Sequence, residues 1–201
     1  NPFTTFTTLA IGTDGKVWAG CESGVYYFEG EEWKLLEESN TFGSIQDITT
    51  REGHVWIASQ NGLQHFDGIR WETQTTENGL PDNFLTTVMF DTKGRLWVGT
   101  DGSRVCYKDG IKWLLIGENE GLLAKDIFDI TFSPEGKAYL ATHKTGVAYQ
   151  TESNTWALYS GDGLVGNVCK DILLSKGGSF WVATTSGISH YDADGKKWKS
   201  F

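Results

Sequence analysis

One ten-residue phrase, Asp91-Thr-Lys-Gly-Arg-Leu-Trp-Val-Gly-Thr100, recurs through the chain and limits its possible folds more than any other feature. In each copy a turn is followed by an apolar residue, an aromatic residue, a second apolar residue and a small pair. The aromatic residues of the five copies lie 38 to 42 residues apart, at Trp18, Trp56, Trp97, Tyr139 and Trp181. A fixed period of this length is typical of a repeat architecture.

Each repeat also predicts four short strands joined by tight turns. A second aromatic residue keeps the same period, at Trp33, Trp71, Trp113, Trp156 and Trp198. In the first repeat Asp14-Gly15 is a dipeptide that closes two-residue hairpins, and Gly30-Glu31 marks a further turn. No segment of ten or more residues has the apolar period of a helix. Four-stranded units at this period indicate the blades of a β-propeller.

The sequence therefore predicts an all-β chain, a five-bladed β-propeller in which each blade is a four-stranded antiparallel sheet. We expect one domain over residues 1–201, with blades at about 1–36, 42–76, 82–116, 124–159 and 166–201. The first segment lacks the Trp of an outer strand, so we expect no mixed-strand closure and direct packing of blade 1 on blade 5. If the ring is not closed, its exposed apolar blade faces predict self-association.

Composition narrows the classes of partner. The net charge of −9 disfavours nucleic acid and anionic membranes, which both select basic patches. No apolar run reaches the roughly 20 residues that span a bilayer, so membrane insertion is not expected. Three cysteines at wide spacing, Cys21, Cys106 and Cys169, predict neither a disulfide framework nor a metal motif. We interpret them as small core residues.

Taken together, the motifs resemble the two-component regulator propeller repeat over essentially the whole chain. They are Gly94-Arg-Leu-Trp97-Val-Gly-Thr100, Gly62-Leu-Gln-His-Phe-Asp67, Trp71 and Gly79-Leu-Pro-Asp-Asn83. The resemblance implies a β-propeller and a non-catalytic sensor region that binds a small molecule, a glycan or a protein. It also implies a periplasmic or extracellular location and a bacterial source. Sensors of that family usually carry more than five repeats.

Candidate binding residues come from positions where the five copies differ. Repeated residues hold the scaffold, whereas variable loop positions can contact a partner. The loops between second and third strands and the inter-blade connections are expected on the same end of the blades. They predict one polar and aromatic binding face: Phe84, Arg104, Phe128, His143, Lys144 and Lys170. The repeated tryptophans are assigned to the core.

Three acidic residues share one position of the innermost strand, where the other two repeats have threonines. Asp47, Asp129 and Asp171 are weak candidates for a cation site near the channel, and the stronger interpretation is hydrogen bonding to neighbouring loops. No loop has the spacing of an EF-hand. No cofactor is predicted.

Two alternatives to a binding module remain at this point. The first is a metal-assisted lyase or hydrolase at the channel mouth, for which only His143 is suitably placed. His65 and His190 share a position with tyrosines and are expected to pack, while His54 is expected to be exposed. No nucleophile or phosphate-binding motif is present. The second alternative is a protein-interaction scaffold using the blade edges, although charges beside most outer-strand tryptophans protect those edges.

Overall fold

The computed structural model describes residues 5–102, 105–161, 163–175 and 177–201, except for the side chain of Asn40. Twenty strands form five sheets, each built from four consecutive strands. The first sheet contains β1 (Phe6–Ile11), β2 (Val17–Cys21), β3 (Gly24–Glu29) and β4 (Glu32–Leu35). The second contains β5 (Ile45–Arg51), β6 (His54–Ser59), β7 (Gly62–Phe66) and β8 (Trp71–Gln74).

The other three sheets repeat this plan. The third contains β9 (Leu85–Phe90), β10 (Leu96–Thr100), β11 (Val105–Asp109) and β12 (Lys112–Ile116). The fourth contains β13 (Ile127–Phe132), β14 (Ala138–Thr142), β15 (Val147–Gln150) and β16 (Trp156–Tyr159). The fifth contains β17 (Cys169–Leu174), β18 (Phe180–Thr184), β19 (Gly187–Asp192) and β20 (Lys197–Ser200). Neighbours in each sheet are consecutive in sequence, which confirms blades of unmixed strands.

Each blade has two distinct ends. One end carries the first and third hairpin turns of the blade, and we call it the hairpin end. The other carries the loop between the second and third strands and the connection to the next blade, and we call it the loop end. In the first blade Phe6 pairs with Cys21 at the loop end, and Ile11 pairs with Val17 at the hairpin end. The first turn is wider than the predicted two-residue hairpin, because it closes between Gly12 and Lys16.

The Gly-Leu connections have a simple physical reason. Short 3₁₀ helices at Thr76–Asn78 and Glu118–Glu120 end at Gly79 and Gly121, both in the left-handed region that glycine adopts without strain. The next residue, Leu80 or Leu122, then turns into the core and is buried. The first connection has a 3₁₀ helix at Glu37–Thr41, and Phe42 is the buried residue there.

The chain divides after Val88 into two compact units. In the first unit, a core forms between the first and second blades from Trp18, Val25, Ile48, Val55 and Ile57. In the second unit, Tyr139 and Val147 of the fourth blade pack with Ile172, Phe180 and Trp198 of the fifth. Facing apolar rows from consecutive blades therefore make the cores. No described helix has the length and apolar character to cross a membrane.

Candidate functional site

Three of the predicted binding residues come together at the loop end of the fourth and fifth blades. Phe128 lies at the start of β13, His143 follows β14, and Lys170 lies at the start of β17. The Lys170 ammonium is 3.8 Å from the centre of the Phe128 ring, and the His143 ring centre is 5.5 Å from it. The half-buried Phe128 ring therefore lies next to two side chains, the ammonium of Lys170 and the imidazole of His143.

An acidic partner fixes the position of His143. Its backbone N–H donates to the Asp126 carbonyl at 3.0 Å, and its Nδ1 is 3.3 Å from Asp126 Oδ2. Lys144 follows in the left-handed conformation, with φ of 82°, and its side chain is exposed. The Lys170 ammonium and the His143 imidazole therefore lie beside one ring, and the Asp126 carboxylate lies beside that imidazole.

The other two predicted binding residues are Phe84 and Arg104. Phe84 belongs to the first unit, where it is half-buried and its N–H donates to Asp82 Oδ1 at 3.0 Å. Arg104 lies outside the described residues.

The repeated acidic position of the innermost strand holds neighbouring blades together. Asp47 Oδ1 accepts from Thr8 Oγ1 at 3.1 Å and from the Ile48 N–H at 2.8 Å. Its Oδ2 accepts from Thr87 Oγ1 at 3.0 Å and from the Val88 N–H at 2.9 Å. Burial raises the pKa of Asp47, although these hydrogen bonds act in the opposite direction. Four protein donors therefore use both oxygens of this carboxylate.

The two later copies of this position differ from each other. Asp129 repeats part of the bridge, since its oxygens accept from the N–H groups of Ile130 at 2.8 Å and Ile172 at 3.0 Å. Asp171 is exposed. Across the described ranges, no group of three or more His, Cys, Asp or Glu residues has the arrangement to hold a metal ion.

The other histidines and the cysteines pack within the blades. His54 is half-buried rather than exposed, because its Nδ1 lies 2.9 Å from His65 Nε2 and its ring stacks on Trp56. His190 packs on Trp181. The three cysteines are free and buried, as their interpretation as core residues requires. Burial raises the pKa of the Cys169 thiol to about 11.

A cavity that the sequence reasoning missed lies in the first unit. It measures about 230 Å³ and opens at the hairpin end of the first and second blades. Gly12, Lys16 and Trp18 contribute from the first blade, and Phe66 and Trp71 from the second. The sequence does contain a signal for this cavity, which is variation inside the repeated phrase. The position of Gly12 is occupied by a polar residue in each of the other copies, namely Thr50, Asp91, Ser133 and Ser175.

Comparisons with known proteins agree on the fold. Residues 79–102 match the two component regulator propeller family. The extracellular domain of the hybrid two component system BT3049 from B. thetaiotaomicron is similar in structure, with a TM-score of 0.80, 23% identity, and coverage of 94% of this chain and 27% of that one. For the corresponding domain of BT4673 the TM-score is 0.80, with 17% identity and coverage of 98% and 31%.

A virginiamycin B lyase from Staphylococcus aureus is also similar, with a TM-score of 0.76, 16% identity, and coverage of 100% of this chain and 71% of the lyase. No curated protein matches in sequence. At these identities the likeness shows the fold alone, which confirms the predicted β-propeller with five blades. The chain spans less than a third of the two-component domains.

Proposed function

Since the chain carries the two-component regulator propeller repeat, we propose that it is a non-catalytic ligand-binding β-propeller of the sensor type, acting in a periplasmic or extracellular compartment. Its ligand contacts Phe128, His143 and Lys170. The similarity to extracellular domains of two component systems supports the sensor assignment. The likeness to a lyase supports only the shared fold.

The observation that carries this proposal is the position of the Lys170 ammonium, 3.8 Å from the centre of the Phe128 ring. The two residues come from consecutive blades, and neither belongs to the repeated phrase. A ligand can use the aromatic face for stacking and the ammonium for a charged hydrogen bond. His143 supplies a second ring 5.5 Å away, anchored by Asp126.

The charges select the class of ligand. Lys170 and Lys144 are both exposed, and His143 adds a third positive charge when it is protonated, against the single carboxylate of Asp126. An acidic oligosaccharide combines sugar faces that stack on aromatic rings with carboxylates that pair with ammonium groups. We therefore assign acidic rather than neutral oligosaccharides to this cluster.

Isothermal titration with oligogalacturonate and with a neutral galactose oligomer of equal length tests the assignment. We expect the acidic oligomer to bind more tightly, and Phe128→Ala or Lys170→Gln to weaken it about tenfold each. Lys199 and Phe201 form a similar exposed pair, 4.9 Å apart, so Lys199→Gln is a matched control that leaves binding unchanged. Equal binding of both oligomers, or full affinity in Phe128→Ala, would contradict the proposal.

A second candidate function, self-association, is favoured by two exposed blade faces. In the first blade Leu9 is 67% exposed, whereas Ile172 at the same repeat position of the fifth blade is 3% exposed. In the fifth blade Ile188 is 48% exposed, whereas Val147 at the same position of the fourth is fully buried. We define the first-blade face as Leu9, Ile11, Phe28 and Trp33, and the fifth-blade face as Leu173, Trp181, Ile188 and Phe201.

The occupant we propose for the fifth-blade face is the first-blade face of a second copy. These faces carry the residue types that pack on each other inside the chain, where Tyr139 and Val147 meet Ile172 and Trp198. Asp171 strengthens the match, because Asp129 at its position accepts a hydrogen bond from the Ile172 N–H of the next blade. The backbone N–H of Leu9 is the equivalent donor.

Light scattering after size exclusion tests this second candidate. We expect dimers or larger species, converted to monomers by Leu9→Asp or Leu173→Asp. Ile69 and Ile111 are equally apolar and even more exposed, but they lie at hairpin turns, so Ile69→Asp and Ile111→Asp are matched controls without effect. A wild-type protein that stays monomeric at high micromolar concentration would refute self-association without affecting the glycan proposal.

A further inference from the structure

The first and third blades close their first hairpins with the same backbone turn. In the first blade the Gly12 N–H donates to the Lys16 carbonyl at 2.8 Å, and the Gly15 N–H donates to the Gly12 carbonyl at 2.9 Å. In the third blade Asp91, Arg95 and Gly94 make the corresponding two bonds, each at 3.0 Å. Gly12 therefore occupies the position of Asp91, and Lys16 that of Arg95.

The Asp91 carboxylate organises the third hairpin. Its Oδ2 accepts from Arg95 Nε at 2.7 Å and from Trp97 Nε1 at 3.0 Å. Its Oδ1 accepts from the backbone N–H groups of Lys93 at 2.9 Å and Arg95 at 2.8 Å. The carboxylate thus satisfies a buried indole N–H and neutralises a cation stacked on two aromatic rings.

The first hairpin retains the cation and the indole but has Gly12 in place of Asp91, and there Asp14 Oδ1 accepts from the Lys16 backbone N–H at 3.0 Å. Lys16 Nζ lies 5.7 Å from the centre of the Trp18 ring and 4.8 Å from that of Tyr27. The Arg95 guanidinium carbon lies 5.8 Å and 4.4 Å from Trp97 and Tyr107. Trp18 is only 7% exposed, and in the described part of the chain its Nε1 has no hydrogen-bond acceptor. A buried donor of this kind destabilises the folded state when it stays unsatisfied.

The cavity lies where these groups meet. Besides Gly12, Lys16 and Trp18, its wall includes Phe66 and Trp71, whose rings stack at a centroid distance of 5.1 Å. The volume of about 230 Å³ has room for a single aromatic ring with one substituent. A buried N–H donor, an ammonium and apolar aromatic walls thus converge on one space.

We propose that this cavity binds a small aromatic carboxylic acid, whose carboxylate takes the role in the first blade that the Asp91 side chain has in the third. The carboxylate accepts from Trp18 Nε1 and pairs with the Lys16 ammonium. The ring of the ligand lies against Phe66 and Trp71. The cavity and the oligosaccharide cluster share no residue, so each site can be tested with its own substitutions.

Two carboxylates beside the cavity, those of Asp14 and Glu29, weaken the binding of an anionic ligand. Asp14 lines the cavity, and its Oδ1 accepts from the Lys16 N–H at 3.0 Å. Glu29 lies outside it and pairs with Lys16 Nζ at 3.6 Å. A bound anion is repelled by Asp14 and competes with Glu29 for Lys16. Removal of either negative charge should therefore strengthen the binding of an anion and weaken that of a cation.

Three probes of one shape, benzoate, benzamide and benzamidinium, separate charge from size. We expect saturable binding of benzoate to the full chain with a Kd near or below about 1 mM, weaker binding of benzamide and none of benzamidinium. The Trp18 indole N–H resonance, followed by protein-observed NMR as each probe is added, measures all three. Benzamidinium binding as tight as benzoate, or no saturable benzoate binding, would overturn the proposal.

Substitutions then locate the site. Lys16→Met should weaken benzoate about tenfold, and Asp14→Asn should tighten it about threefold. The double substitution Gly12→Asp with Asp14→Lys copies the third hairpin, and its own carboxylate should abolish binding. Lys170→Gln should leave benzoate affinity unchanged, which separates this site from the oligosaccharide cluster. Unchanged benzoate affinity in the double variant, with the fold verified by circular dichroism, would overturn the proposed position of the ligand.

Discussion

The first and third hairpins share a turn and a stacked cation, but they differ in one side chain at the start of the turn. Asp91 accepts hydrogen bonds from Arg95 and Trp97, whereas Gly12 has no side chain and lines a cavity beside Lys16 and Trp18. Two copies of the repeat can therefore have the same backbone turn although one of them lacks a side-chain hydrogen-bond acceptor. A site can arise inside the scaffold itself and not only in the variable loops.

The largest expected effect comes from making the third hairpin resemble the first. Asp91→Ala leaves the Trp97 indole N–H, two backbone N–H groups and the Arg95 cation without their acceptor. We expect the free energy of unfolding to fall by about 3 kcal/mol, as measured by urea titration followed by tryptophan fluorescence. Asp14→Ala is the matched control. Asp14 is exposed and accepts a hydrogen bond from the Lys16 N–H, so its cost should stay below about 1 kcal/mol. Equal costs would mean that the Asp91 network adds nothing to stability.

The sequence was sufficient for the fold because the repeat restates the same physical requirement five times. Each copy needs a turn, a buried second strand and a Gly-Leu type connection, and each copy forms a four-stranded antiparallel sheet as predicted. The same regularity misled the assignment of every repeated tryptophan to the core. Trp33 is 47% exposed and Trp181 is 41% exposed, so these two are not core residues.

The candidate site was only partly predictable. Variation between copies identified Phe128, His143 and Lys170, which do come together, because residues at equivalent loop-end positions of consecutive blades lie side by side. The cavity was not predicted because its defining residue, Gly12, lies in a turn. A glycine in a turn is ordinarily explained by the backbone conformation that the turn requires. Only the hydrogen bonds of Asp91 reveal what Gly12 lacks.

The two tryptophans offer a second way to test the comparison. Trp97→Phe removes a donor to a buried carboxylate, whereas Trp18→Phe removes an indole N–H that has no acceptor in the described part of the chain. Both substitutions lose similar apolar contact, so we expect Trp97→Phe to cost about 1–2 kcal/mol more than Trp18→Phe in urea unfolding. A larger cost for Trp18→Phe would show that its N–H has a partner after all and would remove the basis for the ligand site.

The Asp91 carboxylate also makes the stability of the third hairpin depend on pH. Burial alone would raise the pKa of Asp91, but hydrogen bonds from Arg95 N–H, Trp97 Nε1 and Arg95 Nε lower it below the ordinary value of 3.8. The stability that Asp91 contributes is therefore fully present above pH 3.8 and is lost as the pH falls through the lower folded value. We expect the difference in unfolding free energy between wild type and Asp91→Asn to shrink by about 1 kcal/mol between pH 6 and pH 3.

Asp47 should change the unfolding free energy with pH in the opposite direction. Burial raises its pKa, so its ionisation costs folded stability as the pH rises above 3.8. The difference between wild type and Asp47→Asn should accordingly move in the direction opposite to that of Asp91→Asn. If the two differences changed in the same direction with pH, the expected opposite pKa shifts of Asp47 and Asp91 would be wrong.

The smallest effect is expected from making the first hairpin resemble the third. A Cβ at Gly12 would meet Asp14 Oδ1 at 2.5 Å, so Gly12→Asp requires that side chain to move or be replaced. With Asp14→Lys, the turn reads Asp-Thr-Lys-Gly-Lys, and the new carboxylate can accept from Trp18 Nε1 and pair with Lys16. We expect a gain of about 0.5 kcal/mol in urea unfolding, because the new hydrogen bonds are offset by burial of a charge. Gly12→Asn with Asp14→Lys is the neutral control, because it adds a side chain of similar size without a charge. An equal gain in that variant would show that the first hairpin is stabilised by the added side-chain volume and not by the carboxylate.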